Sequence, residues 1–216
     1  QAYTNTYASL AYLEKLYMEA ILHPDIRILS IATRPDCLST EILDLLERLN
    51  QIKPVWVELG LQTIHERTAR YIRRGYDLPV FETAVSELRR RGIDVIVHTI
   101  LCLPGETKPD MLQTIQYLNR QDIQGIKLQL LHILKDTDLA EIYASDPFPI
   151  PDPQEYYELL GACISHLRPD IVIHRLTGDG PKELLIAPLW TCNKRQVLNQ
   201  LQSYFKTHDI WQGKEY

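Results

Sequence analysis

The feature that most constrains this chain is a repeated change of period. Short runs of β-branched and aliphatic residues, at 26–32, 55–60, 94–101 and 125–131, alternate with longer segments whose apolar residues recur every three or four positions. Strands separated by helix-length segments cannot be closed by hairpins. They need crossovers, so the alternation predicts parallel βαβ units of right-handed connection and an α/β fold.

The helical segments carry their own start and stop signals. Residues 8–22 show an apolar stripe of Leu10, Leu13, Leu16, Tyr17, Ala20 and Ile21. Ser39 is placed to cap a helix reaching Asn50, with Ile42, Leu45, Leu46 and Leu49 on one face. A helix is expected from Thr63 to Gly75, which would serve as its C′ glycine, and another from Pro79 to Gly92. Thr107 and Asp110 form a capping pattern for a helix to Asn119. After residue 140 the character changes. The proline-rich run 145–153 cannot be a central strand or a helix interior. A helix (154–167), a short strand (171–174), a polar loop and a final amphipathic helix (193–207) follow. The expectation is an open partial (β/α) barrel over residues 1–140, truncated at its amino end because five strands cannot close eight, and a C-terminal α/β extension over 141–216.

Composition narrows the function classes. A charged fraction of 24% and a hydrophobic fraction of 45% are ordinary for a globular chain with a sizeable core. The net charge of -5 gives no global footprint for nucleic acid. No run approaches the roughly 18 apolar residues of a membrane span. Cys37, Cys102, Cys163 and Cys192 lie far apart, which fits neither a disulfide framework nor a zinc ribbon and is consistent with reduced thiols in a cytoplasmic protein. The chain starts directly on turn-like residues without an initiator Met, as a fragment would.

In α/β folds, ligands bind at the carboxyl ends of parallel strands. Three such ends are recognisable: 32–36, Glu58-Leu-Gly-Leu-Gln-Thr63, and His98-Thr-Ile-Leu-Cys-Leu-Pro-Gly-Glu-Thr107. Strand parity puts Leu128 and Leu130 on the helix-facing layer and leaves Lys127 and Gln129 in the lumen. A lumen lysine is costly unless paired, and Glu58, on the same polar parity, is its expected partner. Arg34 and Asp36 flank a turn fixed by Pro35, either as a buried ion pair or as a contact to a bound ligand or substrate. The loop His174-Arg-Leu-Thr-Gly-Asp-Gly-Pro181 clusters His174, Arg175, Thr177 and Asp179 around two glycines, which permit close backbone approach. Arg67, Arg70 and Arg74 recur at helical spacing and Arg89, Arg90 and Arg91 adjoin. They are either a solvated face or phosphate contacts.

These strand ends, in this order and spacing, resemble the barrel of the radical S-adenosylmethionine (SAM) superfamily. The resemblance is nearest to the group that contains the Elongator catalytic subunit and oxygen-independent coproporphyrinogen oxidase, and to an Elongator-like bacterial family of that group. It covers about residues 1–140. It implies a [4Fe-4S] cluster that cleaves SAM to a 5′-deoxyadenosyl radical, with SAM as ligand and a tRNA wobble uridine as substrate. It further implies that Thr4, Asn5 and Thr6 form the turn whose backbone holds the methionine amino group, with Thr33 and Glu58 also on the cofactor side. Gln62 then meets the ribose, Arg74 the SAM carboxylate, His98 stands where relatives carry a ribose-binding acid, and Ile100, Leu131 and His132 lie by the adenine. Arg34, Asp36, Lys127, Gln129, His174, Arg175, Thr177 and Asp179 fall on the substrate side.

Three departures from the family pattern stand out. The Cys-x3-Cys-x2-Cys that holds the cluster is not in these 216 residues, so no cluster is expected in this chain and the isolated chain should be inactive. Cys102 replaces a small or polar residue, and Ala32 stands where several relatives carry Glu. Two other readings compete. One is a non-catalytic SAM- or RNA-binding barrel that has lost its cluster. The other is a hydrolase with a metal on His98, His132 and Cys102.

Overall fold

The computed structural model describes residues 4–178 and 180–216. In chain order the elements are α1 (Leu10–Leu22), β1 (Leu29–Thr33), α2 (Thr40–Asn50), β2 (Val55–Gln62), α3 (Glu66–Tyr71), α4 (Leu78–Arg90) and β3 (Asp94–Leu101). There follow α5 (Lys108–Leu118), β4 (Gly125–Leu130), β5 (Ile133–Leu134), α6 (Asp138–Ser145), α7 (Pro153–His166), β6 (Val172–Arg175), β7 (Leu185–Ala187) and α8 (Lys194–Thr207). The hydrogen-bonded strand order is β1-β2-β3-β4-β6, a five-stranded sheet, and β5 pairs with β7 in a separate antiparallel ribbon. The expected α/β class and sheet of parallel strands are what the chain adopts.

The chain divides into two compact units. Unit 1 comprises Gln1–Thr99 with Arg120–Lys127, and unit 2 comprises Ile100–Asn119 with Leu128–Tyr216. In unit 1, β1, β2 and β3 run parallel, with Ser30 opposite Trp56 and Glu58 opposite Ile96. Alternation sorts the side chains of these strands. Ile31, Val57, Leu59, Leu61, Val95 and Val97 are buried, and α2 and α4 pack on β2. Leu45, Leu46, Phe81 and Leu88 complete this core; each contributes about 2 kcal/mol by leaving water. At the other end of unit 1, Arg91 is buried and bonds Glu87 and Asp44, with Glu47 at 3.4 Å.

Unit 2 is held by α7, which packs on α5 and α8. Its buried face includes Tyr156, Leu160, Cys163 and Ile164. The expected Thr107–Asp110 capping box is present on α5, and Asp152 and Glu155 form a second on α7. Asn119 braces the far end, donating to His166 O and accepting from Arg168 N.

Several boundaries differ from the sequence reading, each for a local reason. The helix expected from Thr63 to Gly75 is reduced to Glu66–Tyr71, because Arg73 and Gly75 adopt positive φ (54° and 84°) and turn the intervening Arg74 inward. The first strand begins at Leu29 and runs to Thr33, since 24–28 is an irregular connection ahead of it. Ser145 closes α6 and Pro153 opens α7, where its missing N–H costs nothing. The β5–β7 ribbon and α6 were not anticipated. A two-residue strand carries no readable period.

Candidate functional site

The lumen-facing side chains of unit 1 converge on one carboxylate. Lys127 Nζ donates to Glu58 Oε2 at 2.5 Å, the approach that strand parity predicts. His98 Nε2 lies 2.7 Å from the same oxygen, and Ser30 Oγ donates to Oε1 at 2.8 Å. The Glu58 and Lys127 side chains are only 9% and 11% exposed, so neither points to bulk solvent. Burial alone would push the Glu58 carboxyl up. Hydrogen bonds from His98, Lys127 and Ser30 outweigh it and hold the group well below the usual carboxylate range. The cluster therefore carries a fixed negative charge on β2, matched by a cation from β4.

Two residues beyond Glu58 the strand changes course. The β2–β3 register slips between Gly60 and Gln62, a bulge, and Gln62 itself sits at φ 62°. A non-glycine residue in this left-handed region is strained, and such strain persists only where the surroundings impose it. The Gln62 amide folds back over Gly60: a Cβ on Gly60 would stand 2.6 Å from Gln62 Nε2. A side chain at position 60 would push the Gln62 amide off that seat.

Behind this turn lies a polar clamp. Arg74 is buried, with its side chain 1% exposed. Its guanidinium donates to Thr63 O (2.7 Å), Tyr76 O (3.0 Å), Leu61 O (3.4 Å) and Glu66 Oε1 (2.9 Å). Tyr76 donates its hydroxyl to Gly60 O. Its ring lies under two guanidinium groups, Arg74 at 4.7 Å and Arg34 at 5.6 Å. Burial pushes the Tyr76 phenol well above its usual range, so it stays a neutral donor. The expected contact of Arg74 with a SAM carboxylate is not what its geometry offers, because the guanidinium is turned into the fold and committed to the strand end.

The other expected residues of unit 1 fall into two groups. Thr6 is buried, with Oγ1 2.5 Å from Thr33 Oγ1, and donates to Cys37 O. Asn5 is pinned by its backbone: N–H to Ala32 O, and O accepting from the Tyr17 hydroxyl. Thr4 O accepts from Tyr7 N, closing the expected turn. Arg34 and Asp36 form the bidentate pair of one reading, at 2.9 and 2.7 Å, but it is half-exposed and not buried as that reading had it, because the turn buries Pro35 and leaves Asp36 at the surface.

The arginine-rich stretches are mostly neutralised. Arg89 meets Asp94 and Asp122, Arg90 meets Glu87, and Arg91 is the buried residue described above. Arg67 and Arg70 are exposed on α3, but Arg74 is not on that helix.

In unit 2, Ile100 and Gln129 are half-buried, and Leu131 is buried with its N–H on Leu101 O. His132 packs against the glycines of the 174–181 loop. A Cβ on Gly178 would meet its ring at 2.6 Å, and one on Gly180 at 3.0 Å. The close approach expected of those glycines is thus made onto a histidine of the same unit. Thr177 is buried and Tyr156 donates to Leu176 O. His174 is exposed and Arg175 half-buried on successive positions of β6; Asp179 lies outside the described residues. Cys102, at φ 64°, lines a cavity of about 600 Å³ with Leu103, Met111, Phe148, Ile150 and Leu159. Among the described residues no group of three His, Cys, Asp or Glu side chains is arranged to hold a metal ion. No helix of the described residues is long and apolar enough to cross a membrane.

The sequence read in isolation missed Tyr76 altogether. The readable signal was Arg74-Gly-Tyr76 immediately after a helix, a place where a glycine frees the chain to fold back.

Comparison with known proteins matches residues 2–118 to the radical SAM superfamily and residues 123–207 to the radical SAM C-terminal domain. YtqA of Bacillus subtilis (strain 168) is 39% identical over 99% of this chain and 66% of its own length. YhcC of Escherichia coli (strain K12) is 35% identical over 97% of this chain and 68% of its own. The chain thus spans about two thirds of the length of these relatives. Elongator complex protein 3 of Schizosaccharomyces pombe is 24% identical over 81% of this chain and 32% of its own. Among solved structures, the Elp3 of the archaeon Methanocaldococcus infernus has the same fold, with a TM-score of 0.82 at 16% identity over 98% of this chain and 54% of its own. Coproporphyrinogen III oxidase (HemN) of Escherichia coli gives 0.57 at 19% identity over 74% of this chain and 37% of its own.

Proposed function

The chain belongs to the radical SAM superfamily, and from that premise we propose that it is the SAM-holding part of a radical SAM oxidoreductase or transferase. The observation that carries this reading is the left-handed Gln62 at the carboxyl end of β2, with its amide laid over Gly60 and the strand end braced behind it. A strained polar residue at a strand end is the place where an α/β fold meets its ligand. There the Gln62 amide is suited to the hydroxyls of a ribose. The Thr4–Thr6 turn, anchored by Thr33 and Cys37 O, presents backbone for a methionine amino group. Glu58, kept anionic, fixes the His98 ring by one nitrogen. The adenine contacts of Ile100, Leu131 and His132, and the substrate contacts of His174, Arg175, Thr177 and Asp179, are proposed on the resemblance alone.

The cysteines at 37, 102, 163 and 192 do not fit a [4Fe-4S] cluster, whose ligands this proposal assigns to the rest of the parent protein. The relation to the Elongator protein directs the substrate toward tRNA, with the wobble uridine as the base modified. No observation favours the non-catalytic binding module.

Calorimetry of the 216-residue chain with SAM tests the first step. Saturable binding is expected, weakened about tenfold by Gln62→Ala, the loss of one to two hydrogen bonds. No binding to the intact chain, or equal binding to Gln62→Ala, would sink the assignment. Nucleoside profiling of tRNA from a deletion strain tests the substrate: a missing modified uridine is expected, and an unchanged profile removes tRNA while leaving the SAM reading standing.

A further inference from the structure

Tyr76 takes no part in the reading above, yet it binds the backbone on which the Gln62 amide lies. Its hydroxyl donates to Gly60 O, and Gly60 is the platform on which the Gln62 amide lies. The ring is flanked by the Arg74 and Arg34 guanidinium groups, and Arg34 is itself held to Asp36 by two hydrogen bonds. Gly75, at φ 84°, lets the chain reverse there: a Cβ would stand 2.9 Å from an Arg34 nitrogen. On the other side, Arg74 holds the carbonyls of Leu61 and Thr63, the residues on either side of Gln62. The carbonyls of residues 60, 61 and 63 are therefore all taken by donors from 74–76, which leaves the left-handed Gln62 between fixed neighbours.

We propose that Tyr76 and Arg74 are positioning residues that impose the left-handed conformation of Gln62 and so set its amide for the ribose of SAM. The proposal rests on Gln62 being the SAM-binding residue. Neither Tyr76 nor Arg74 touches the ligand; both act through the backbone of 60–63. This gives Arg74 a different task from a carboxylate ligand and explains why a cation in the turn after α3 is buried. Arg34 and Asp36 gain a task as well, as the outer layer that keeps the Tyr76 ring in place.

The test uses the full chain and two variants that remove little volume. Tyr76→Phe deletes the hydroxyl and keeps the ring. Gly60→Ala keeps the hydroxyl but forces the Gln62 amide off its seat. Both are expected to weaken SAM binding about tenfold by calorimetry and to shift the Gln62 side-chain amide resonances in a 15N spectrum without SAM. In a Gln62→Ala background, Tyr76→Phe should change SAM affinity less than twofold, because the residue through which it acts is gone. Additive losses in the double variant overturn the proposal, since Tyr76 would then act on the ligand by another route. Unmoved Gln62 resonances in Tyr76→Phe overturn it too. Should the intact chain bind no SAM, the functional reading fails, while the amide resonances still decide whether the clamp sets Gln62.

Discussion

The carboxyl ends of β2 and β3 solve one backbone problem in opposite ways. Each strand is followed or closed by a non-glycine residue in the left-handed region, Gln62 at φ 62° and Cys102 at φ 64°. At β2 the conformation is imposed by donors, with Arg74 and Tyr76 holding the flanking carbonyls. At β3 it is accommodated by packing: Leu101 and Leu103 are each 2% exposed, Cys102 N donates to the Met111 sulfur at 3.1 Å, and burial pushes the Cys102 thiol up to about 12. A polar clamp fixes the backbone at one strand end, whereas apolar packing fixes it at the other. The difference separates a strand end built to present a group from one built to line a cavity.

The largest test of this contrast is to remove the central donor. Arg74→Ala strips its partners from three carbonyls and Glu66 and empties a packed site, which should cost about 3 kcal/mol in urea unfolding. The matching change at β3, Met111→Leu, keeps the volume and loses only a weak acceptor, so about 1 kcal/mol or less is expected. Equal losses would mean that the β2 end is held by packing as well, and the contrast would collapse.

The β2 body offers an intermediate effect with a pH signature. The Glu58 carboxyl is held below its ordinary value of 4.5 in the folded chain, so on acidification the unfolded chain takes up this proton first. The contribution is complete above that ordinary value and fades as the pH falls below it. Glu58→Gln should cost about 2 kcal/mol at neutral pH, because Lys127 remains buried beside a neutral amide. It should also flatten the fall in stability between about pH 5 and about pH 3. A variant whose acid slope matches the parent would show that other carboxylates carry that dependence.

How much of this was readable from sequence follows from the range of the interactions. Ser39 and Thr107 act within three residues, and the caps of α2 and α5 were legible from spacing alone, whereas the Asp152 cap of α7 was hidden in the proline-rich run before it. The Glu58–Lys127 pair spans 69 positions but was legible too, since strand parity and the cost of an unpaired lysine leave few partners. The bulge at 60–62 was not. It depends on a register shift against β3 and on donors from 74–76, neither of which leaves a periodic trace. The Arg67, Arg70 and Arg74 spacing even pointed the wrong way, suggesting one helical face where the chain in fact breaks at Arg73.

The smallest expected effect is also the most discriminating. Glycine relieves left-handed strain by about 1 kcal/mol wherever the replaced side chain contributes nothing else. The Gln62 side chain is half-exposed and lies over a glycine, so Gln62→Gly should raise stability by about that amount while weakening SAM binding. Cys102 sits beside a cavity among apolar neighbours, and losing its thiol there costs burial of similar size, so Cys102→Gly should be close to neutral. Thermal unfolding of the two variants gives the comparison directly. A stabilised Cys102→Gly, or a destabilised Gln62→Gly, would reverse the assignment of which strand end stores strain for a ligand and which has absorbed it into its core.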